Sequence, residues 1–226
     1  MSTAGKNRDL IIFNVLVGLV GINFLIKTTG TYLWNTTLVY MTIWIMSLIL
    51  LLWLRFYGGE KGDVVDYDEN LERAHLPIIG IAITGMVIVS SVLVSGFGFA
   101  QSAIYMPRPG LALNLGQLNT AGLIDDLLYN MVLVAPAEES MKLVGILALY
   151  RKTGNAPVSV AAPVGFWAVL HTYLSYNGPM MWVLVLSAFI SGIILFAVLK
   201  FTSSLLNAQI AHSGYNSIVI LASLLR

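Results

Sequence analysis

The sequence contains no cysteine and little charge, and both shortages limit what the protein can be. Without cysteine there can be no disulfide, no thiolate metal site and no cysteine nucleophile. Only 10% of the 226 residues are charged and 58% are hydrophobic, whereas a soluble domain carries about 25% charged residues. The net charge is +1 and the basic residues are scattered, so no surface would attract nucleic acid. The composition therefore argues against a soluble or nucleic-acid-binding protein.

Long stretches without charge indicate membrane spans. The segments 77–100, 158–170 and 178–199 contain no charged residue. A helix of about 20 apolar residues matches the hydrocarbon core of a bilayer, and isolated strands would leave backbone groups unsatisfied there. We therefore predict an all-α fold, a polytopic transmembrane helix bundle of about seven (six to eight) spans. The expected spans are 10–27, 36–57, 77–100, 122–150, 157–176, 179–199 and 202–225, with a kink or split at Pro136 in the fourth.

The chain is expected to form a single integral membrane domain, 1–226, with a motif-bearing core at about 122–226. A hydrophilic loop at about 58–75 holds six of the eleven acidic residues and is interpreted as a solvated connection, with His75 beside it as a packing residue. If the N-terminus is cytoplasmic, eight basic residues fall on that side and three on the other. The positive-inside rule thus predicts a multi-pass protein with a cytoplasmic N-terminus.

Three of the expected helices carry polar groups that apolar helices rarely contain. They form three short motifs: Glu138-Glu139-x-x-Lys142, Trp167-x-x-x-His171 and His212-x-x-x-Asn216. Ionisable groups inside a membrane are expensive and usually functional, and residues four apart share one helix face. Glu139 lies about 100° around the helix from Glu138, so one acid can enter a site while the other pairs with Lys142 or orients a neighbour. Packed together, these faces would supply carboxylates and imidazoles for water activation and an amide for an oxyanion.

Each motif alone also has a simpler interpretation. Glu138 and Lys142 could form a structural ion pair, Trp167 could anchor the membrane interface, and Asn216 could bond two helices together. Their joint occurrence in three helices is what favours a site. The acidic pair Asp125 and Asp126 is interpreted as favourable to a helix N-terminus and outside the site.

In this order the motifs resemble those of the type II CAAX prenyl protease and bacteriocin-processing superfamily, Glu-Glu-x-x-x-Arg, Phe-x-x-x-His and His-x-x-x-Asn. The first motif is similar to the Glu-Glu-x-x-Lys of the PrsW membrane proteases, and Trp167 stands where phenylalanine is usual. The resemblance runs from about Asp125 to the C-terminus, a little under half of the chain.

The resemblance implies an intramembrane endopeptidase acting on a membrane protein or a lipidated peptide in the bilayer. Glu138 or Glu139 would be the general base, His171 and His212 would complete the site, and Asn216 would stabilise the oxyanion, with Lys142 and Trp167 in support. Whether a metal is bound stays open, and a zinc ion, if present, would be held by the same two glutamates and two histidines. However, no His-Glu-x-x-His motif is present, which favours metal-free water activation. The alternatives are a catalytically silent scaffold of the same superfamily and a proton-coupled transporter.

Overall fold

The computed structural model describes residues 32–57, 75–97, 127–171 and 179–223, together with 123, 124 and scattered positions between 15 and 29. All regular structure in these ranges is helical, which confirms the all-α prediction. The helices are α1 (Tyr32–Tyr57), α2 (Leu76–Gly96), α3 (Ala135–Thr153), α4 (Ala156–Leu170), α5 (Pro179–Thr202) and α6 (Leu205–Ser223), with a π-helical turn, Tyr129–Val134, leading into α3. Most of the hydrophilic loop, and both Asp125 and Asp126, lie outside the described residues.

The helix ends differ from the expected spans for local reasons. α4 is capped at its start by the Asn155 side chain, which accepts from Val158 N, and it ends at Leu170 rather than 176. Ser203 adopts a left-handed backbone with φ of 51°, which separates α5 from α6 and moves the start of α6 from 202 to Leu205. His75 is exposed just before α2, so its interpretation as a packing residue is wrong.

The exposed surface of the helices is apolar, as expected for a protein in a membrane. Ile81 is 74% exposed and Phe201 77%, and many other large apolar side chains point outward. Beside its apolar side chains, the interior contains Glu, Lys, His, Asn and Ser side chains, of which the charged ones are seldom fully buried in soluble proteins unless paired. Two described helices, Leu76–Gly96 and Met181–Thr202, are long and apolar enough to cross a bilayer. The full number of spans and the cytoplasmic N-terminus stay predictions.

The sequence predicts a kink or a split at Pro136, and in the structure the helix is not split there. Proline has no N–H to continue the helical ladder and clashes with the preceding turn. The π turn Tyr129–Val134 accommodates it, with Ala135 N bonding to Asn130 O, one residue farther back than in an α-helix. Ser213 of α6 donates to Met131 O at 3.1 Å, so a neighbouring helix satisfies a carbonyl near the interruption. The first turn of α3 therefore starts beside α6.

Close helix packing places α4 against α5 and α3. A Cβ added to Gly192 of α5 would lie 2.6 Å from Val164 Cγ1 and 3.1 Å from the Trp167 ring, both on α4. Gly145 of α3 approaches Pro163 in the same way. Small residues at such contacts let membrane helices approach closely. Because residue 192 has no side chain, α5 can pack directly against α4 and the Trp167 ring.

Filling the space at Gly192 should destabilise the bundle. We expect Gly192→Ala to lower the free energy of unfolding by about 1–3 kcal/mol, because the new methyl group collides with a branched side chain. The matched control is Gly85→Ala, whose added Cβ would meet only Ile194 Cδ1 at 3.8 Å. Both variants would be unfolded by SDS titration in mixed micelles. Equal stability of the two variants would contradict this packing.

Candidate active site

Glu138 lies in the first turn of α3 and is held by donors from two other helices. The Tyr40 hydroxyl of α1 donates to Oε1 at 3.0 Å, and the Trp167 indole of α4 donates to Oε2 at 2.9 Å. His212 Nε2 of α6 lies 3.6 Å from the same Oε2. Glu138 is only 5% exposed. Its carboxylate is therefore the point where α1, α3, α4 and α6 meet.

Glu139 has a different set of partners, and they carry charge. Its Oε1 lies 2.6 Å from Lys142 Nζ and 2.6 Å from His212 Nδ1. Since a carboxylate can only accept, His212 Nδ1 carries the hydrogen of this bond. The lysine pairs with the residue three positions before it, so the simpler interpretation of a Glu138–Lys142 ion pair is wrong. The adjacent glutamates thus have different sets of partners, and His212 faces both of them.

Trp167 is surrounded by the other polar groups of the site. Lys142 Nζ sits 3.8 Å from the centre of its ring, an ammonium over an aromatic face. The rings of His171 and His212 approach it at 4.5 and 5.8 Å between centroids, both steeply inclined. A phenylalanine at this position could pack similarly but could not donate to Glu138. The indole N–H is therefore a specific contribution of Trp167.

His171 closes α4 and is oriented by its own helix. Its Nδ1 lies 2.9 Å from the carbonyl oxygen of Trp167. A carbonyl can only accept, so Nδ1 carries a hydrogen and, in the neutral ring, Nε2 carries the lone pair. The side chain is half-buried and stacked edge-on against Trp167. This tautomer gives the site a second imidazole nitrogen able to accept a proton.

Asn216 lies one turn beyond His212 on α6 and is 8% exposed. Its Nδ2 finds no hydrogen-bond acceptor among the described residues. A buried amide donor without a partner is unfavourable unless another group completes it. The Nδ2 group of Asn216 therefore needs an acceptor that the described residues do not supply.

The charges of the cluster nearly balance. Two carboxylates face one ammonium, so a neutral His212 leaves a net charge of −1 and a protonated His212 leaves zero. Unbalanced charge is costly away from water. The buried carboxylates therefore depend on Lys142 for charge compensation.

The sequence motifs did not reveal Tyr40. A tyrosine in an apolar helix is ordinarily interpreted as an interface anchor, and α1 carries none of the three motifs. Only the packing of α1 beside the π turn brings its hydroxyl to Glu138. No pattern along the chain signals that contact.

The described residues contain no group of three or more His, Asp or Glu side chains arranged to hold a metal ion. The oxygens of Glu138 already accept from Tyr40 and Trp167, and an ammonium lies directly against Glu139. His212 uses Nδ1 for Glu139. These contacts do not fit a zinc site built from the two glutamates and two histidines.

A carboxylate–imidazole cluster enclosed by apolar helices is suited to hydrolysis inside a membrane protein. Residues 120–218 match the family model described as Type II CAAX prenyl endopeptidase Rce1-like. That segment includes all three motifs, and the match confirms the resemblance to the CAAX protease superfamily. The match covers 99 of the 226 residues. The PrsW-like form of the first motif stays a prediction. No curated protein and no solved structure shows significant similarity to the chain.

Removing Lys142 should expose how strongly the cluster depends on charge balance. We expect Lys142→Met to lower the free energy of unfolding by about 3–5 kcal/mol, because Glu139 would be left as a buried charge without its cation. The double variant Glu139→Gln/Lys142→Met should recover most of that loss. SDS titration in mixed micelles measures all forms, with Lys200→Met at the exposed end of α5 as the control. A double variant no more stable than Lys142→Met would contradict the pairing.

Proposed function

We propose that the protein is an intramembrane endopeptidase that hydrolyses peptide bonds of membrane-associated or lipidated substrates with water activated by glutamate and histidine. The main support is that the buried side chains of Glu138 and Glu139 both lie against His212. All three residues belong to the segment that matches the CAAX endopeptidase family. A silent scaffold does not require two adjacent buried acids that both face one histidine. The family match likewise favours hydrolysis over transport.

Glu138 is the general base in this proposal. Its donors, Tyr40 and Trp167, are neutral, and each carboxylate oxygen has two lone pairs and can accept from water as well. Glu139 is engaged by the Lys142 ammonium and by His212. The attacking water passes one proton to Glu138 while its oxygen bonds to the peptide carbonyl carbon. When the C–N bond breaks, that proton goes to the leaving amine nitrogen.

The two histidines assist the proton transfers. Glu139 holds His212 by Nδ1–H, which directs Nε2 toward Glu138. His212 can therefore share the proton that the base receives. His171, with its lone pair on Nε2, orients the attacking water from the α4 side.

Asn216 supplies the oxyanion contact. As the peptide carbonyl becomes tetrahedral, its oxygen gains charge, and a preorganised donor stabilises it. The Nδ2 group of Asn216, without an acceptor among the described side chains and backbone, is the donor we assign to this oxygen.

Replacing the base should stop cleavage without unfolding the protein. We expect Glu138→Gln to reduce the turnover of an internally quenched farnesylated peptide in proteoliposomes by about 10²–10⁴-fold. In cells, the same variant should accumulate uncut membrane or lipidated peptides, identified by mass spectrometry against wild type.

Glu72→Gln is the matched control, because it makes the same chemical change in the hydrophilic part of the sequence. Its turnover should equal that of the wild type. The proposal fails if Glu138→Gln cleaves like the wild type, or if neither protein cleaves and no peptide accumulates. Substrate flux into liposomes that survives without cleavage would instead support a transporter.

The oxyanion role of Asn216 predicts a loss confined to turnover. Asn216→Ala should lower kcat by about 10²–10³-fold with little change in KM, since the donor acts on charge that develops in the transition state. Asn207→Ala is the control, because Asn207 is another buried amide of α6 whose Nδ2 lacks an acceptor within the described part of the chain. An equal loss of kcat in the two variants would count against the assignment.

A further inference from the structure

Tyr40 joins the candidate site from a helix outside the matched segment. Its hydroxyl donates to Glu138 Oε1 at 3.0 Å, whereas the family match covers only residues 120–218. We infer that Tyr40 is a positioning residue that fixes the Glu138 carboxylate, so the site requires α1 and is incomplete within the matched segment. The inference rests on the proposed role of Glu138 as the base.

The Tyr40 ring is held firmly enough to place its hydroxyl. It is buried among residues of the π turn and the start of α3, with the Tyr129 ring packed edge-on at 6.2 Å and 87°. Met41 and the apolar residues Leu133, Val134 and Ala137 complete this cluster. Because Ala137 directly precedes Glu138 and has no bulky side chain, α1 can approach the backbone of α3 closely. The hydroxyl position therefore follows from packing as well as from the hydrogen bond.

Tyr40 and Trp167 lie on different helices, and each donates a hydrogen bond to a different oxygen of the Glu138 carboxylate. The hydroxyl of α1 bonds Oε1 and the indole of α4 bonds Oε2, so together they restrict rotation of the carboxylate plane. Neither donor adds charge. The two hydrogen bonds set the direction in which Glu138 faces His212 Nε2, which lies 3.6 Å from Oε2. Losing the hydroxyl would remove the hydrogen bond to Oε1 and leave the bond from Trp167 to Oε2 in place.

A kinetic comparison separates positioning from simple helix bonding. Tyr40→Phe removes only the hydroxyl and should lower kcat for the quenched farnesylated peptide by about 10–100-fold, the usual effect of losing a hydrogen bond to a charged group. KM should change less than about twofold, since substrate binding is not the step affected. The matched control is Tyr215→Phe, which removes a tyrosine hydroxyl bonded to Ser90 at 2.7 Å between α6 and α2. It should lose comparable stability but keep kcat.

A second measurement does not depend on turnover. Dicyclohexylcarbodiimide modifies buried carboxyl groups, and mass spectrometry can locate the label on Glu138. Without the Tyr40 hydroxyl, Oε1 is less restrained, so labelling of Glu138 in Tyr40→Phe should be several-fold faster than in wild type or Tyr215→Phe.

The outcomes distinguish the positioning role of Tyr40 from the proposed hydrolysis of lipidated peptides. If wild type cleaves the peptide, a kcat of Tyr40→Phe within twofold of wild type, or no lower than that of Tyr215→Phe, overturns the inference. If wild type does not cleave but Glu138 labelling accelerates only in Tyr40→Phe, the proposed substrate chemistry fails and the positioning role stands. Unchanged labelling overturns the positioning role whatever the peptide result.

Discussion

Two carboxylates occupy adjacent positions at the start of a buried helix, and their need for compensation organises the surrounding structure. Glu139 is balanced by charge, through Lys142 and the Nδ1–H of His212. Glu138 is held by neutral donors, the Tyr40 hydroxyl and the Trp167 indole. Charge away from water is stable only when paired or hydrogen-bonded, and we propose that this difference in partners makes Glu139 the orienting acid and Glu138 the base.

The packing of the helices places these different partners beside Glu138 and Glu139. The π turn accommodates Pro136 and starts α3 against α6, where Ser213 caps a carbonyl near the interruption and His212 meets both acids. Gly192 lets α5 press closely behind Trp167, whose ring covers Lys142 on one face and bonds Glu138 at its nitrogen. Lys142 and Trp167 are therefore in direct contact, with the ammonium 3.8 Å from the centre of the ring.

Much of the fold and of the candidate site could be predicted from the sequence, because apolar runs and charged residues at helical spacing form clear patterns. The three motifs identified Glu138, Glu139, Lys142, Trp167 and His212, which the structure brings into contact, and the all-α fold follows from the apolar runs. The partner of Lys142 could not be predicted, because positions three and four residues away both adjoin it on a helix. Tyr40 could not be predicted either, since its contact depends on how α1 packs on the π turn. Donor contacts across distant helices carry no local signature.

Cleavage by the double variant Glu139→Gln/Lys142→Met tests this division of labour most directly. It removes the charged pair together and leaves Glu138 with both of its neutral donors. If Glu138 is the base and Glu139 an orienting partner, the folded double variant should turn over the quenched farnesylated peptide more slowly than wild type, yet at least about tenfold faster than Glu138→Gln. A folded double variant as inactive as Glu138→Gln would contradict the account, because Glu139 would then be indispensable to the chemistry itself.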